Sequence, residues 1–98
     1  MDCISNELVE DQPDAQELVA IISASSSNTG DAFQIDFIRQ GVTVVRKRIS
    51  ERSWKKITQG EWDQTSVSTL IARGLLVLHA KSTQGWEVYP RPELLGAV

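Results

Sequence analysis

Apolar and polar positions divide the chain into short elements separated by clear breaks. Phe33-Gln34-Ile35-Asp36-Phe37 alternates with period two, and Val42-Thr43-Val44-Val45 follows a break at Arg39-Gln40-Gly41. Alternation of this kind puts successive side chains on opposite faces of a strand. Gly41 supplies the positive φ that a tight hairpin turn often needs. The pattern predicts a β-hairpin over 33–49, whose second strand ends in Arg46-Lys47-Arg48, with Arg46 and Arg48 on one face and Lys47 on the other. Ser50 then fits an N-cap, with Glu51 in the first turn, and predicts a short helix over 51–58 that turns Trp54 and Ile57 inward and Arg52, Lys55 and Lys56 outward. Gly60 fits just past its end. Val67, Leu70 and Ile71 recur at helical spacing and predict a second helix, beginning near Asp63 or Thr65, over about 65–73. Arg73 and Gly74 close it. Leu75–Ala80, the turn Lys81–Gly85 and Trp86-Glu87-Val88-Tyr89 read as a closing hairpin.

Asp14–Ala24 reads two ways. Asp14 followed by Glu17 is an N-cap signature for a helix with Leu18, Ile21 and Ile22 on one side. The run Leu18-Val19-Ala20-Ile21-Ile22 also has the β-branched content of a buried strand, and strand is the favoured reading. Ser23–Asp31 is a turn-rich loop, without the Gly-Lys-Ser/Thr ending of a phosphate loop.

The only prolines are Pro13, Pro90 and Pro92, so the body of the chain runs without that breaker. The expected organisation is an acidic flexible tail over 1–13, one domain over 14–90 and a C-terminal tail over 91–98 that docks Leu94 and Leu95 on the body. The fold class is α+β: a small single domain with a β-hairpin, two short helices and a closing β-hairpin. Its expected core is Ile21, Phe33, Ile35, Phe37, Val44, Trp54, Ile57, Val67, Leu70, Ile71, Leu76, Leu78, Trp86 and Val88. With 98 residues, 41% hydrophobic and 23% charged, the chain has the composition of a globular domain and not of a disordered one.

Charge is segregated along the chain. The first 37 residues carry eight carboxylates and no basic side chain, whereas residues 38–82 hold nine cations against Glu51, Glu61 and Asp63. Such asymmetry points to a polyanion-binding or partner-binding surface, or to an acidic arm that shields a basic one.

Ser53-Trp54-Lys55-Lys56-Ile57, then Val67-Ser68-Thr69-Leu70-Ile71-Ala72-Arg73-Gly74-Leu75-Leu76, then Gly85-Trp86-Glu87-Val88-Tyr89 together resemble the C-terminal half of a winged helix-turn-helix domain. The resemblance covers residues 50–89. It implies a second helix that enters the major groove, with Ser66, Ser68, Thr69 and Arg73 towards DNA and Lys81 on the wing.

Little points to catalysis. Cys3 is the only cysteine and excludes an intramolecular disulfide. His79 is the only histidine, and no second His or nearby Cys completes a usual zinc set. No cofactor is expected. No run approaches the ~18 apolar residues of a membrane span, and the N-terminus lacks the order of a signal peptide, so the expected setting is cytoplasmic. The sequence therefore predicts a non-enzymatic protein–protein interaction or regulatory module, an adaptor, inhibitor or assembly factor, whose partner is another protein or a second copy. A winged-helix-like nucleic-acid-binding regulator using residues 39–73 is the alternative. The candidate binding face is Arg46, Arg48, Arg52, Lys55, Lys56, Trp62, Ser66, Ser68, Thr69, Arg73 and Lys81. Trp62 is expected to be exposed between Glu61 and Asp63.

Overall fold

A computed structural model describes residues 13–39, 42–62 and 64–95. The expected acidic tail before Pro13, Cys3, the turn at Gln40-Gly41, and Asp63 lie outside these residues. The chain is a small α+β domain in which a five-stranded antiparallel sheet carries helices on one face. The elements are α1 (Pro13–Ser25), β1 (Phe33–Arg39), β2 (Val42–Ser50), β3 (Ser53–Gly60), α2 (Gln64–Ala72), β4 (Leu76–Lys81), β5 (Gly85–Pro90) and the single-turn α3 (Pro92–Leu95). Spatial order across the sheet is β3-β2-β1-β5-β4. Among the described residues no helix is long and apolar enough to cross a membrane.

Two expected elements change type. Residues 13–25 form a helix, not a strand. Pro13 takes its first position, where a missing N–H costs nothing, and Asp14 sits in the first turn. Buried Ala15, Leu18, Val19 and Ile22 follow i, i+3, i+4, i+7, and Ala15 is the position that extends the apolar stripe over two turns. Residues 53–60 form the strand β3, not part of a helix over 51–58. An isolated two-turn helix is marginal in water. As a strand the same backbone bonds along β2, through the pairs Val44↔Gln59, Arg46↔Lys56 and Arg48↔Trp54. Ser50, expected as an N-cap, instead pairs with Ser53 and closes a two-residue turn at Glu51-Arg52.

The hairpins over 33–49 and 75–89 form as expected, and α2 follows the second helical pattern. Gly74 ends α2 with φ 76°, a left-handed conformation suited to glycine, and lets the Leu75 N–H reach the Leu70 carbonyl at 2.9 Å.

The core lies between the helices and one sheet face. Phe33 and Ile35 of β1, Val45 of β2 and Trp86 and Val88 of β5 pack against Leu18, Ile22, Val67 and Leu70, with Leu75, Leu76 and Leu94 closing the layer. Cross-strand partners share a face, so the register Phe33↔Val88 and Ile35↔Trp86 places these side chains together under the helices. Phe37 extends the layer by meeting the Trp86 ring edge-on at 5.3 Å. Three expected core residues fall outside it. Leu78 is exposed on β4, Val44 is buried on the opposite face of the sheet, and Trp54 is half-buried but does not pack into the core cluster.

Trp62 is the reverse correction, because it is buried in the core at 4% exposure instead of standing free. Its carbonyl accepts a hydrogen bond from the Thr43 hydroxyl, and its ring covers Gly60. Truncating a buried tryptophan removes both its transfer energy and its packing, so Trp62→Ala is expected to cost about 3–5 kcal/mol in denaturant unfolding. Gly85 pairs with Asp36, and a Cβ there would collide with the Ile35 carbonyl and come 2.8 Å from the Asp36 Cα. Gly85→Ala should therefore destabilise by about 1–3 kcal/mol, because backbone cannot move aside as a flexible side chain can.

Candidate functional site

Alternation along the strands decides what faces away from the helices. Val44, Arg46 and Arg48 stand on the open face of β2, Gln34 and Asp36 on that of β1, and Glu87 on that of β5. On β3 the partners of Arg46 and Arg48 are Lys56 and Trp54, which places both on this open face. A bulge at Ile57 breaks the alternation of β3 and returns Ile57 towards the core.

The cations of the β2–β3 hairpin fall into two groups. Arg46 and Lys47 are held by the fold. Arg46 makes an ion pair with Asp36, whose other carboxylate oxygen accepts a 2.8 Å hydrogen bond from Gln34 Nε2. Lys47, on the helix side, donates to the Ser25 carbonyl at 2.6 Å and lies 3.6 Å from Asp31. A cation at the end of α1 is favoured by the helix dipole. The second group is Arg48, Arg52, Lys55 and Lys56, all exposed. Arg48 donates to the Ser50 and Glu51 carbonyls at 3.1 Å each, bracing the turn while its charge stays unpaired by any described carboxylate.

The structure thus gathers Arg46, Arg48, Arg52, Lys55 and Lys56 onto one hairpin and separates the rest of the expected site from them. Trp62 is in the core. Ser66 is buried on α2, Thr69 Oγ1 donates to the Thr65 carbonyl at 2.8 Å, Ser68 is exposed, and Arg73 is half-buried just past α2. These lie on the helix-covered side of the sheet. Lys81 ends the opposite edge strand, with Nζ 4.4 Å over the Trp86 ring. Trp54 joins the hairpin cations although helical spacing had assigned it to the core. A period-two reading of Trp54-Lys55-Lys56, followed by the β-branched pair Ile57-Thr58, carries the signal for its true place.

Asp31 anchors the loop between α1 and β1, which is tied together by hydrogen bonds. Its carboxylate accepts from the Ser27 N–H at 2.6 Å and from the Asn28 N–H at 3.3 Å, and Asn28 Oδ1 accepts from the Gly30 N–H at 2.7 Å. Partial burial acts to raise the Asp31 pKa. The two amide hydrogen bonds and the Lys47 charge outweigh it and hold the carboxyl below its ordinary value. On β4, His79 Nε2 lies 3.9 Å from Glu87 Oε2, and its ring meets Tyr89 edge-on at 5.5 Å. Among the described residues no three His, Cys, Asp or Glu side chains group as a metal set. A shallow depression of about 450 Å³ opens beside Asp36 and Arg46, bounded also by Phe37, Ile38, Thr83 and Gln84.

No family model, curated protein or solved structure matches the chain.

A carboxylate with a lowered folded pKa adds stability that is full above the ordinary carboxylate range and is lost as pH falls through the lowered value. Asp31→Asn should therefore be less stable than the parent at neutral pH. The gap should close as the parent is titrated below about pH 4 in parallel thermal melts.

Proposed function

We propose that the chain is a non-enzymatic protein–protein interaction module whose edge strand β4 takes up an added antiparallel strand, and that its partner there is a second copy of the same chain. The observation that carries this reading is the exposure of β4. Among the described residues strand order leaves its outer edge without a neighbour, every residue from Val77 to Lys81 is exposed, and Val77 and Leu78 are large apolar side chains at 41% and 38% exposure. Such an edge is a template for strand addition.

Charge placement favours a second copy at β4 and opposes one at β3. With a twofold axis through Leu78, Lys81 would oppose the partner's Leu75. The two Lys81 charges would then stand six residues apart, about 20 Å along the strands. That exceeds the ~8 Å Debye length of physiological salt. The same operation on β3, with the axis through Lys56, would set the two Lys56 side chains directly opposite each other, a repulsive pairing. Strand addition alone covers less surface than a standard interface, so the dimer should be weak.

Sedimentation equilibrium of the full chain should show dimer forming at about micromolar to millimolar concentration, the weak end of the affinity scale. Leu78→Lys should weaken it by roughly tenfold, about 1.4 kcal/mol, with an unchanged circular dichroism spectrum. Replacing Lys55 and Lys56 by serine should not weaken it. A chain that stays monomeric at about 1 mM, a concentration corresponding to only about 4 kcal/mol of binding energy, overturns the proposal.

A further inference from the structure

A second surface lies at the other end of the sheet and is argued from different residues. Residues 46–56 contain six cations and one carboxylate, Glu51. Two cross-strand pairs in this hairpin set cation against cation, Lys47↔Lys55 and Arg46↔Lys56. Like charges directly opposite one another destabilise a ladder. Asp31 and Asp36 relieve the inner member of each pair, and no described carboxylate lies within ion-pair distance of Lys55 or Lys56. Protection of an exposed edge accounts for lysines on β3. It does not account for Arg48, which stands one strand in from that edge, or for Arg52 at the turn. Arg48 also braces the turn through the Ser50 and Glu51 carbonyls, and departures from local rules concentrate at functional sites.

Trp54 supplies the second observation. It stands on the open face, half-buried, directly across from Arg48 and two positions before Lys56, and it contributes nothing to the core cluster. An indole flanked by guanidinium and ammonium groups on an open sheet suits a ligand with flat rings and negative charges at short intervals. Beyond Arg46 the same face dips into the depression bounded by Asp36 and Gln84, residue types that can bond a base edge.

We propose that the open face of the β2–β3 hairpin binds single-stranded nucleic acid. Trp54 stacks on a base, Arg48, Arg52 and Lys56 contact phosphates, and Lys55 adds to the attractive field from the other side. Stacking is open only to unpaired bases, which distinguishes this ligand from a duplex, and an acidic peptide would leave the indole without a ring partner.

The test uses the full chain and a labelled oligo-dT of about 20 nucleotides, followed by fluorescence anisotropy from about 20 to 200 mM salt. Three phosphate contacts on a single strand predict a slope of log affinity against log salt near −2. Trp54→Ala should lower affinity about tenfold with the slope retained, whereas Trp54→Phe should keep most of the binding. Arg52→Glu combined with Lys56→Glu should lower affinity at least tenfold and flatten the slope. Circular dichroism of each variant checks that the sheet is intact. Four outcomes overturn the proposal: no binding at about 20 mM salt, affinity unchanged by Trp54→Ala, duplex bound more tightly than oligo-dT, or displacement by poly-glutamate as effective per charge as by oligo-dT.

Discussion

Double-sided pairing of β1 is the constraint on which the rest of the structure depends. β1 bonds to β2 on one edge and to β5 on the other, so it joins a meander over residues 33–60 to a hairpin over residues 76–90. The approach of β5 depends on Gly85, because any side chain there would collide with the β1 backbone. Once β1 is fixed, alternation does the remaining work. Phe33 and Ile35 must face the helices, and Gln34 and Asp36 must face away. The polar open face is therefore a direct consequence of building a core on one side only. Asp36 shows the effect: it is buried at 7% exposure within the open face and is matched there by Arg46 and Gln34.

Strand and helix type were legible where periodicity was long or flanked by strong turn residues. Phe33–Phe37 shows clean alternation, and Val67, Leu70 and Ile71 end against Gly74, so both gave the right element. Residues 13–25 misled because the β-branched cluster Val19, Ile21 and Ile22 competes with the wider 15/18/19/22 stripe. Tertiary burial of that stripe against the sheet outweighs the local preference. Residues 51–60 misled for the opposite reason. Ser50 and Glu51 satisfy a local helix-start rule, but pairing with β2 satisfies the whole backbone of the segment, which a lone two-turn helix could not do.

That single change of element accounts for most of what was missed at the candidate site. In a helix, Trp54 and Ile57 share a face. In a strand with a bulge between them and β2, Ile57 turns to the core and Trp54 stands outside with Arg48. The basic character of the segment was visible in composition, but its division was not. Only the fold shows that Lys47 ties down the end of α1 and that Arg46 balances Asp36, while their neighbours across the ladder stay exposed.

The two edges of the sheet are finished in opposite ways. β3 carries adjacent lysines near its middle and two irregularities in its pairing with β2, features that hinder the approach of another strand. β4 carries valine and leucine, a histidine at a bulge, and its one lysine at the last position. An edge needs a charge near its centre to repel a copy of itself, because repulsion at its end is screened across a Debye length. Lysine at position 81 therefore leaves β4 open to pairing in a way that Lys55 and Lys56 do not leave β3. The bulge at His79 bends β4 and restricts which strands can follow it. A second copy bent in the same way matches that restriction in an antiparallel arrangement, whereas a straight segment of arbitrary sequence does not.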